Sequence, residues 1–292
     1  MRPLSRLAPA LLCALIGSTA VAAEISPWAA GLRAKARLLA GGGADGARLA
    51  AVEIAPDRGF KTYWRHPGES GLPPAFDWSR SANLAAVEVL WPAPRRFEDG
   101  GGVSYGYEGG VVLPLRVTPR EADRPVRLAL TLDYGVCKDV CIPVRAELSL
   151  ALPPGGSAAP TPPAIERALS AVPERRAVGA GGELSVLAVE PAGAGKRELL
   201  VTVRAPAPPT LFAEGPEGWF LSTPPHSFAP PHSFAPVTIP VAVDEHPPEA
   251  AGLVSVRLTV TAGGRAIETE ALLDAASISA ARPRLDGAAG PR

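Results

Sequence analysis

Two cysteines, Cys137 and Cys141, carry the clearest chemical signal in this chain of 292 residues. A third cysteine, Cys13, lies in an apolar N-terminal segment that we expect to be removed, which leaves the pair alone. In an oxidising compartment, an isolated pair four positions apart is typical of one disulfide.

The spacing alone leaves the role of this disulfide open. Closing a five-residue ring stabilises a fold by about 2 kcal/mol, against about 3 kcal/mol for a fifteen-residue ring, so the bridge is a weak staple. A tight bridge at an exposed position is, in contrast, accessible to an attacking thiolate. Lys138 and Arg145 would favour a thiolate nearby and Asp139 would oppose it, so the local charges favour neither form.

Other chemistries have weaker support. The segment Gly102-Val103-Ser104-Tyr105-Gly106 matches the nucleophile pattern G-x-S-x-G, but glycines precede it and a strand follows it where a hydrolase needs a helix. His226 and His232 belong to a tandem repeat of six residues, which we interpret as a lengthened surface loop. With one methionine and few histidines, we predict no metal site and no cofactor.

The N-terminus has the pattern of a secretory signal peptide over residues 1–23. Arg2 and Arg6 precede an apolar run at residues 7–16, and Val21-Ala22-Ala23 supplies small residues for cleavage. The run is shorter than the roughly 20 apolar residues that a membrane-spanning helix needs, so we expect export of a soluble protein. The formal net charge of +0 gives no basic excess for binding nucleic acid.

The composition and the alternation of apolar residues predict an all-β protein. The 30 glycines and 34 prolines imply many turns. Strands are predicted at residues 47–55, 84–91 and 111–117, and two alternating runs at 127–134 and 144–150 would place the cysteines at the tip of a hairpin. The Trp-, Pro- and Gly-rich segment between Gly59 and Pro94 is expected to follow irregular loops over a sheet.

A proline-rich stretch divides the chain. We predict a first domain over residues 24–152, a linker with a short helix N-capped by Thr161 over 153–174, and a tail over 276–292. Five further strand patterns, at residues 184–189, 198–204, 237–243, 253–261 and 266–273, indicate a second, smaller β-sandwich over residues 175–275. This second domain contains no cysteine, so we expect it to have a supporting or docking role.

Longer motifs extend the signal beyond the cysteines. They are Lys61-Thr62-Tyr63-Trp64-Arg65-His66-Pro67-Gly68, Ser70-Gly71-Leu72-Pro73-Pro74, Phe76-Asp77-Trp78 with Asn83, Trp91-Pro92-Ala93-Pro94-Arg95, Tyr105-Gly106-Tyr107, Leu113-Pro114-Leu115 and Tyr134-Gly135-Val136-Cys137-Lys138-Asp139-Val140-Cys141-Ile142-Pro143. Together, across residues 30–152, they resemble the N-terminal periplasmic domain of DsbD-type disulfide reductases, and most closely the ScsB-like branch associated with copper-sensitivity suppression.

The resemblance implies an immunoglobulin-like fold for both domains and a cysteine pair that relays electrons in the periplasm. It assigns nucleophilic attack to Cys141 and resolution to Cys137, and it places Tyr63 and Tyr107 near the active site. In some members an aromatic side chain caps the cysteines. The corresponding loop here begins at Phe97 and continues Glu98-Asp99-Gly100-Gly101-Gly102, so the cap is expected to be shifted or absent.

The resemblance also implies partners. Periplasmic thioredoxin-fold proteins would receive the electrons. Relatives continue into a membrane domain and a thioredoxin-like domain that do not occur in this sequence, so we expect a separate membrane electron donor of the DsbD or CcdA type. Such relays serve cytochrome c biogenesis and copper tolerance.

We therefore interpret the chain as a periplasmic thiol–disulfide interchange protein, a component of a disulfide reductase system, with Lys138 beside its cysteine pair. Two alternatives remain. One is a binding or chaperone-like β-sandwich module with a structural bridge, and the other is a copper-tolerance accessory protein, because a reduced cysteine pair can bind Cu(I).

Overall fold

The computed structural model describes residues 24–44, 46–99, 102–155, 160–193, 196–223 and 235–278. The predicted signal peptide, both histidines of the tandem repeat and most of the predicted tail lie outside these residues. The elements are β1 (Ala29–Gly31), β2 (Ala34–Ala44), β3 (Ala47–Pro56), β4 (Lys61–Gly68), β5 (Ala75–Asp77), β6 (Leu84–Val89), β7 (Arg95–Asp99), β8 (Gly102–Glu108), β9 (Val111–Pro119), β10 (Val126–Cys137), β11 (Cys141–Leu152), α1 (Pro163–Ser170), β12 (Glu174–Arg175), β13 (Ser185–Pro191), β14 (Glu198–Arg204), β15 (Thr210–Glu214), β16 (Phe220–Ser222), β17 (Val237–Glu245), β18 (Leu253–Ala262), β19 (Arg265–Asp274) and α2 (Ala275–Ile278).

The first domain is an immunoglobulin-like β-sandwich, as predicted. One sheet has the order β1-β2-β3-β9-β6, and the other has the order β11-β10-β4-β8-β7 with β5 paired to β10. Apolar side chains from the two inner faces form one core, which includes Leu38 and Leu115 from the first sheet and Leu130 and Trp64 from the second. This arrangement of two facing antiparallel sheets buries alternate residues of the long strands β10 and β11.

The second domain is a smaller β-sandwich, which confirms the predicted fold class. Its sheets have the orders β12-β19-β18-β15 and β13-β14-β17-β16. A separate core contains Leu199, Val201, Leu258 and Val260. The sequence does not predict the short strands β15 and β16, of five and three residues, because segments of this length are too short to show a clear alternation.

The segment that joins the domains packs against the first one. Helix α1 begins after Pro162, which replaces the predicted Thr161 as N-cap. The Thr161 hydroxyl instead accepts a hydrogen bond from the backbone N–H of Gly42. Ile165 of α1 is buried with Leu39 and Ala51 on the outside of the first sheet, so the linker is docked rather than extended.

The predicted hairpin extends beyond the two alternating runs, at residues 127–134 and 144–150, that predict it. Strands β10 and β11 pair in register from Val126 and Leu152 to the final pair, Cys137 and Cys141. Along β11 the side chains alternate strictly between exposed and buried. The even-numbered residues face the core, and both cysteines therefore point away from it.

The expectation of irregular loops between Gly59 and Pro94 is wrong at its start. Residues Lys61 to Trp64 of β4 are buried, and the strand lies between β10 and β8 in the second sheet. A strand that is buried on both faces shows no alternation of polar and apolar residues, so its sequence resembled a loop rich in tryptophan and glycine.

The C-terminal part of the described chain is also ordered beyond the expected boundary. Helix α2 buries Ala275 and Ile278 in the second core, so the tail predicted from residue 276 does not begin before residue 279. The two helices in the described part of the chain, of eight and four residues, are both too short to cross a membrane.

Candidate functional site

The two cysteines form a disulfide at the tip of the β10–β11 hairpin. Their Cα atoms lie 4.2 Å apart, and a three-residue loop of Lys138, Asp139 and Val140 joins them. Cys137 is 8% exposed, whereas Cys141 belongs to the exposed side of the edge strand β11. Cys141 is therefore the cysteine on the solvent-exposed side of the disulfide.

The buried Tyr63 contacts this disulfide directly. Its hydroxyl oxygen lies 3.0 Å from the Cys141 Sγ, and because a disulfide sulfur carries no proton, the hydroxyl donates. Strand β4 places it there, since Lys61 pairs with Cys137 and Tyr63 follows two residues later on the same face. We call the face of the second sheet that carries Lys61, Tyr63, Cys137 and Cys141 the site face.

Two glycines leave the space that the Tyr63 ring occupies. A Cβ atom on Gly71 would lie 2.6 Å from the Tyr63 Cδ1, and one on Gly135 would lie 2.6 Å from the Leu72 Cβ and 3.3 Å from the Tyr63 Cδ2. Gly71 has a φ of +149°, which disfavours any residue with a side chain. Both glycines occur in the quoted motifs, but their role as walls of the Tyr63 site was not predicted.

Lys61 is a site-face residue that sequence reasoning did not select. It is buried, its Nζ donates to the Ser104 hydroxyl at 2.8 Å, and the ammonium lies 5.1 Å from the Phe97 ring centroid and 6.0 Å from that of Tyr63. Phe97 thus reaches the site face through Lys61, because it pairs with Ser104 across β7 and β8.

Ser104 itself is fully buried in the middle of β8. No turn to a helix follows it, and no substrate could reach its hydroxyl. The G-x-S-x-G pattern therefore does not form a nucleophile site.

Tyr107 and Lys138 are placed differently from Tyr63, whose hydroxyl contacts the disulfide. Tyr107 pairs with Thr62, which places it on the core face, opposite to Tyr63. Its hydroxyl donates to the Pro92 carbonyl at 2.8 Å, and burial raises its pKa well above the ordinary value. Lys138 is exposed in the hairpin loop.

Arg145, which we expected from the sequence to favour a thiolate, is paired with a carboxylate in the structure. The Arg145 guanidinium forms two hydrogen bonds with the Asp133 carboxylate, at 2.6 and 2.8 Å, and this contact lowers the pKa of Asp133. The Arg145 charge is therefore engaged across the hairpin. In the described part of the chain, no three histidine, cysteine, aspartate or glutamate side chains converge as a metal ion would require.

Two apolar side chains near the hairpin tip are exposed to solvent. Val140 at the loop tip is 71% exposed and Leu72 is 41% exposed. Leu72 also lines a shallow groove whose other lining residues are Pro73, Asp133, Tyr134, Pro143, Val144 and Arg145, so the groove contains the Arg145–Asp133 ion pair as well as apolar side chains. Burial raises the pKa of Tyr134 to about 12.

Comparisons with known proteins concern the first domain and the fold. Residues 34–153 match the family model described as the N-terminal part of the thiol:disulfide interchange protein DsbD. The crystal structure of the N-terminal periplasmic domain of ScsB from Proteus mirabilis is similar, with a TM-score of 0.62 and 21% identity over 86% of this chain and 98% of that one.

A conserved domain protein from Bacillus anthracis aligns over 87% of this chain and 91% of its own, with a TM-score of 0.22 and 8% identity, too low for any argument. No curated protein matches the sequence significantly. The family match spans the first domain with both cysteines, and the Proteus structure shows a shared fold.

The close approach of Gly71 to the Tyr63 ring leads to a prediction. Gly71→Ala would displace the Tyr63 ring from Cys141, and we expect dithiothreitol to reduce the disulfide at least about threefold more slowly. The reason is that the Tyr63 hydroxyl would no longer stabilise the thiolate that forms on Cys141, and a hydrogen bond to a charged group is worth roughly 1.5–3 kcal/mol. Gly109→Ala is the matched control, because Gly109 also has a positive φ and its Cβ would meet no atom within 4 Å. Equal rates in the two variants would contradict the role of Gly71.

Proposed function

Residues 34–153 are a domain of the DsbD N-terminal family, and from this premise we propose that the chain is a thiol–disulfide interchange protein that relays electrons through Cys137 and Cys141. One observation carries the proposal most directly. The disulfide lies at the tip of a hairpin with one sulfur exposed and in contact with a buried hydroxyl, where a purely structural staple would need neither feature.

The exposed position of Cys141 supports its role as the sulfur that exchanges with partners. In the reduced protein, the Cys141 thiolate attacks a partner disulfide, forms a mixed disulfide and releases one partner thiolate. The Cys137 thiolate then attacks the Cys141 Sγ, restores the internal disulfide and releases the second partner thiolate. Two electrons pass to the partner, and the reverse sequence reloads the pair.

Tyr63 supports the charged intermediate. Its hydroxyl already donates to the Cys141 Sγ in the oxidised state, and the same hydrogen bond would stabilise the thiolate after reduction. A stabilised thiolate is the nucleophile in exchange and also the better leaving group. The buried position of Tyr63 keeps water from competing for that bond.

The partners follow from the chemistry and the family. We propose that thioredoxin-fold proteins of the periplasm dock on the apolar surface around Val140 and Leu72 and receive the electrons, and that a separate membrane protein of the DsbD or CcdA type supplies them. In this proposal, residues 1–23 direct export, residues 24–152 carry the exchange and residues 175–275 support it.

The disulfide potential tests the function. We expect equilibration with glutathione or dithiothreitol buffers to give a value of roughly −270 to −120 mV, the range of exchange proteins. The exposed sulfur and the hydrogen bond to it favour the reduced, thiolate form. A value below about −300 mV, typical of structural bridges, would instead support a binding module with a stabilising clip.

Trapping of partners tests the roles of the two cysteines. Cys137→Ser should accumulate mixed disulfides with thioredoxin-fold proteins from periplasmic extracts, because the resolving thiol is missing. Cys141→Ser should accumulate few, since Cys137 is buried. Non-reducing gels of the affinity-purified variants, with bands identified by mass spectrometry, give the result. The reverse pattern would exchange the roles, and no trapping by either folded variant would exclude the relay.

The thiol pKa of Cys141 tests the contribution of Tyr63. In the Cys137→Ser background, Tyr63→Phe should raise this pKa by about one to two units, because a hydrogen bond to a charged group is worth roughly 1.5–3 kcal/mol. The pH dependence of iodoacetamide alkylation measures it. Tyr107→Phe is the control, since that hydroxyl is on the opposite face, and it should leave the thiol pKa unchanged. A Tyr63→Phe variant that behaves like this control would exclude the contact as a functional one.

A further inference from the structure

The second domain inserts an aromatic side chain into the core of the first. Phe212 of β15 is 1% exposed and belongs to the same buried cluster as the first-domain residues. Its ring centroid lies 5.0 Å from that of Tyr105 and 5.8 Å from that of Trp64, both in edge-to-face geometry. The first domain therefore completes its core with a residue from the second.

A partly buried ion-pair cluster lies beside this insertion. The Arg65 guanidinium binds both carboxylate oxygens of Glu214, with contacts of 2.6 to 3.2 Å, and also binds the Glu268 carboxylate. The side chains of Arg65, Glu214 and Glu268 are 17%, 13% and 9% exposed. The guanidinium carbon also lies 4.3 Å from the Trp64 ring centroid. Bidentate contacts of this kind fix the geometry of the pair as well as stabilising it. We call Arg65, Glu214, Glu268 and Phe212 together the clasp.

The clasp holds a part of β4 that its neighbouring strands do not pair with regularly. Pairing with β10 covers Lys61 and Thr62. Pairing with β8 covers Lys61 to Tyr63 and resumes only at Gly68, after an irregularity. Trp64 and Arg65 follow directly after the last regularly paired residue, and both contact the second domain.

Tyr63 thus lies between the part of β4 that pairs regularly with its neighbouring strands and the part that contacts the clasp. Its hydroxyl contacts the Cys141 Sγ at 3.0 Å, and a displacement of about 1 Å would remove that hydrogen bond, because such bonds weaken steeply with distance and angle. Between Tyr63 and Gly68, where the pairing with β8 is interrupted, Trp64 and Arg65 contact the second domain.

We propose that the second domain is a positioning element of the redox site, in which Phe212 and Glu214 hold β4 so that the Tyr63 hydroxyl stays on Cys141. This inference rests on the proposed function and gives the second domain a defined part in it. Phe212 and Glu214 act through Tyr63 and do not contact the disulfide. The expected consequence of releasing the clasp is a less stabilised Cys141 thiolate.

The full-length chain with Glu214→Gln tests the proposal in the Cys137→Ser background. Loss of the clasp should raise the Cys141 thiol pKa by about half a unit or more, which is about a threefold loss of thiolate below that pKa. The control is Glu183→Gln, which removes a surface ion pair to Arg265 in the same domain and should have no effect.

The sign of the change separates positioning from direct electrostatics. Removing the negative charge of Glu214 would by itself lower the pKa of a nearby thiol, whereas release of Tyr63 raises it. A second variant, Phe212→Leu, changes no charge and should also raise the thiol pKa, so the proposal remains testable if either variant folds poorly. Circular dichroism and thermal unfolding identify the variants that are folded.

A double-mutant cycle gives the decisive comparison. If Glu214 acts through Tyr63, then Glu214→Gln should not raise the thiol pKa once Tyr63→Phe is present. A rise that persists in the Tyr63→Phe background would overturn the proposal, as would an unchanged or lowered pKa in folded Glu214→Gln. The proposed function fails separately, by a structural disulfide potential in the unmodified chain.

Discussion

The register of the β10–β11 hairpin is the constraint on which the site depends. A disulfide needs the two cysteines directly opposite each other, and a slip of one residue would turn every side chain of a strand to the other face. The alternating buried residues of β11, from Val144 to Leu152, face those of β10 and fix this register through the core. Packing in the interior therefore determines that Cys137 and Cys141 meet on the outer face, beside Tyr63.

Strand β4 connects this outer face to the interior. Tyr63 points to the cysteines, while the next residue, Trp64, points into the core and meets Phe212 of the second domain. Adjacent side chains of one strand thus contact the disulfide and the other domain. The proposed positioning role of the second domain depends on this adjacency of Tyr63 and Trp64 in one strand.

The parts of the molecule that could be predicted from sequence are those with a local pattern. The hairpin, the cysteine tip and most strands of the second domain follow from alternation or short spacings, which the fold reproduces. The contacts at the site are not local, since Tyr63 and Cys141 are 78 residues apart and Arg65 and Glu214 are 149 apart. Tyr107 illustrates the limit, because whether an aromatic residue faces the cysteines or the core depends on strand pairing, which the resemblance alone did not specify.

The difference between the two cysteines follows from the place of their strands in the sheet. Strand β10 has neighbours on both sides, so Cys137 is covered, whereas β11 is an edge strand and leaves Cys141 open. An open edge also invites pairing with strands of other chains. Pro143, two residues after Cys141, has no backbone N–H to donate and so weakens such pairing next to the sulfur. The edge can thus leave Cys141 open to solvent while limiting nonspecific strand addition at the same position.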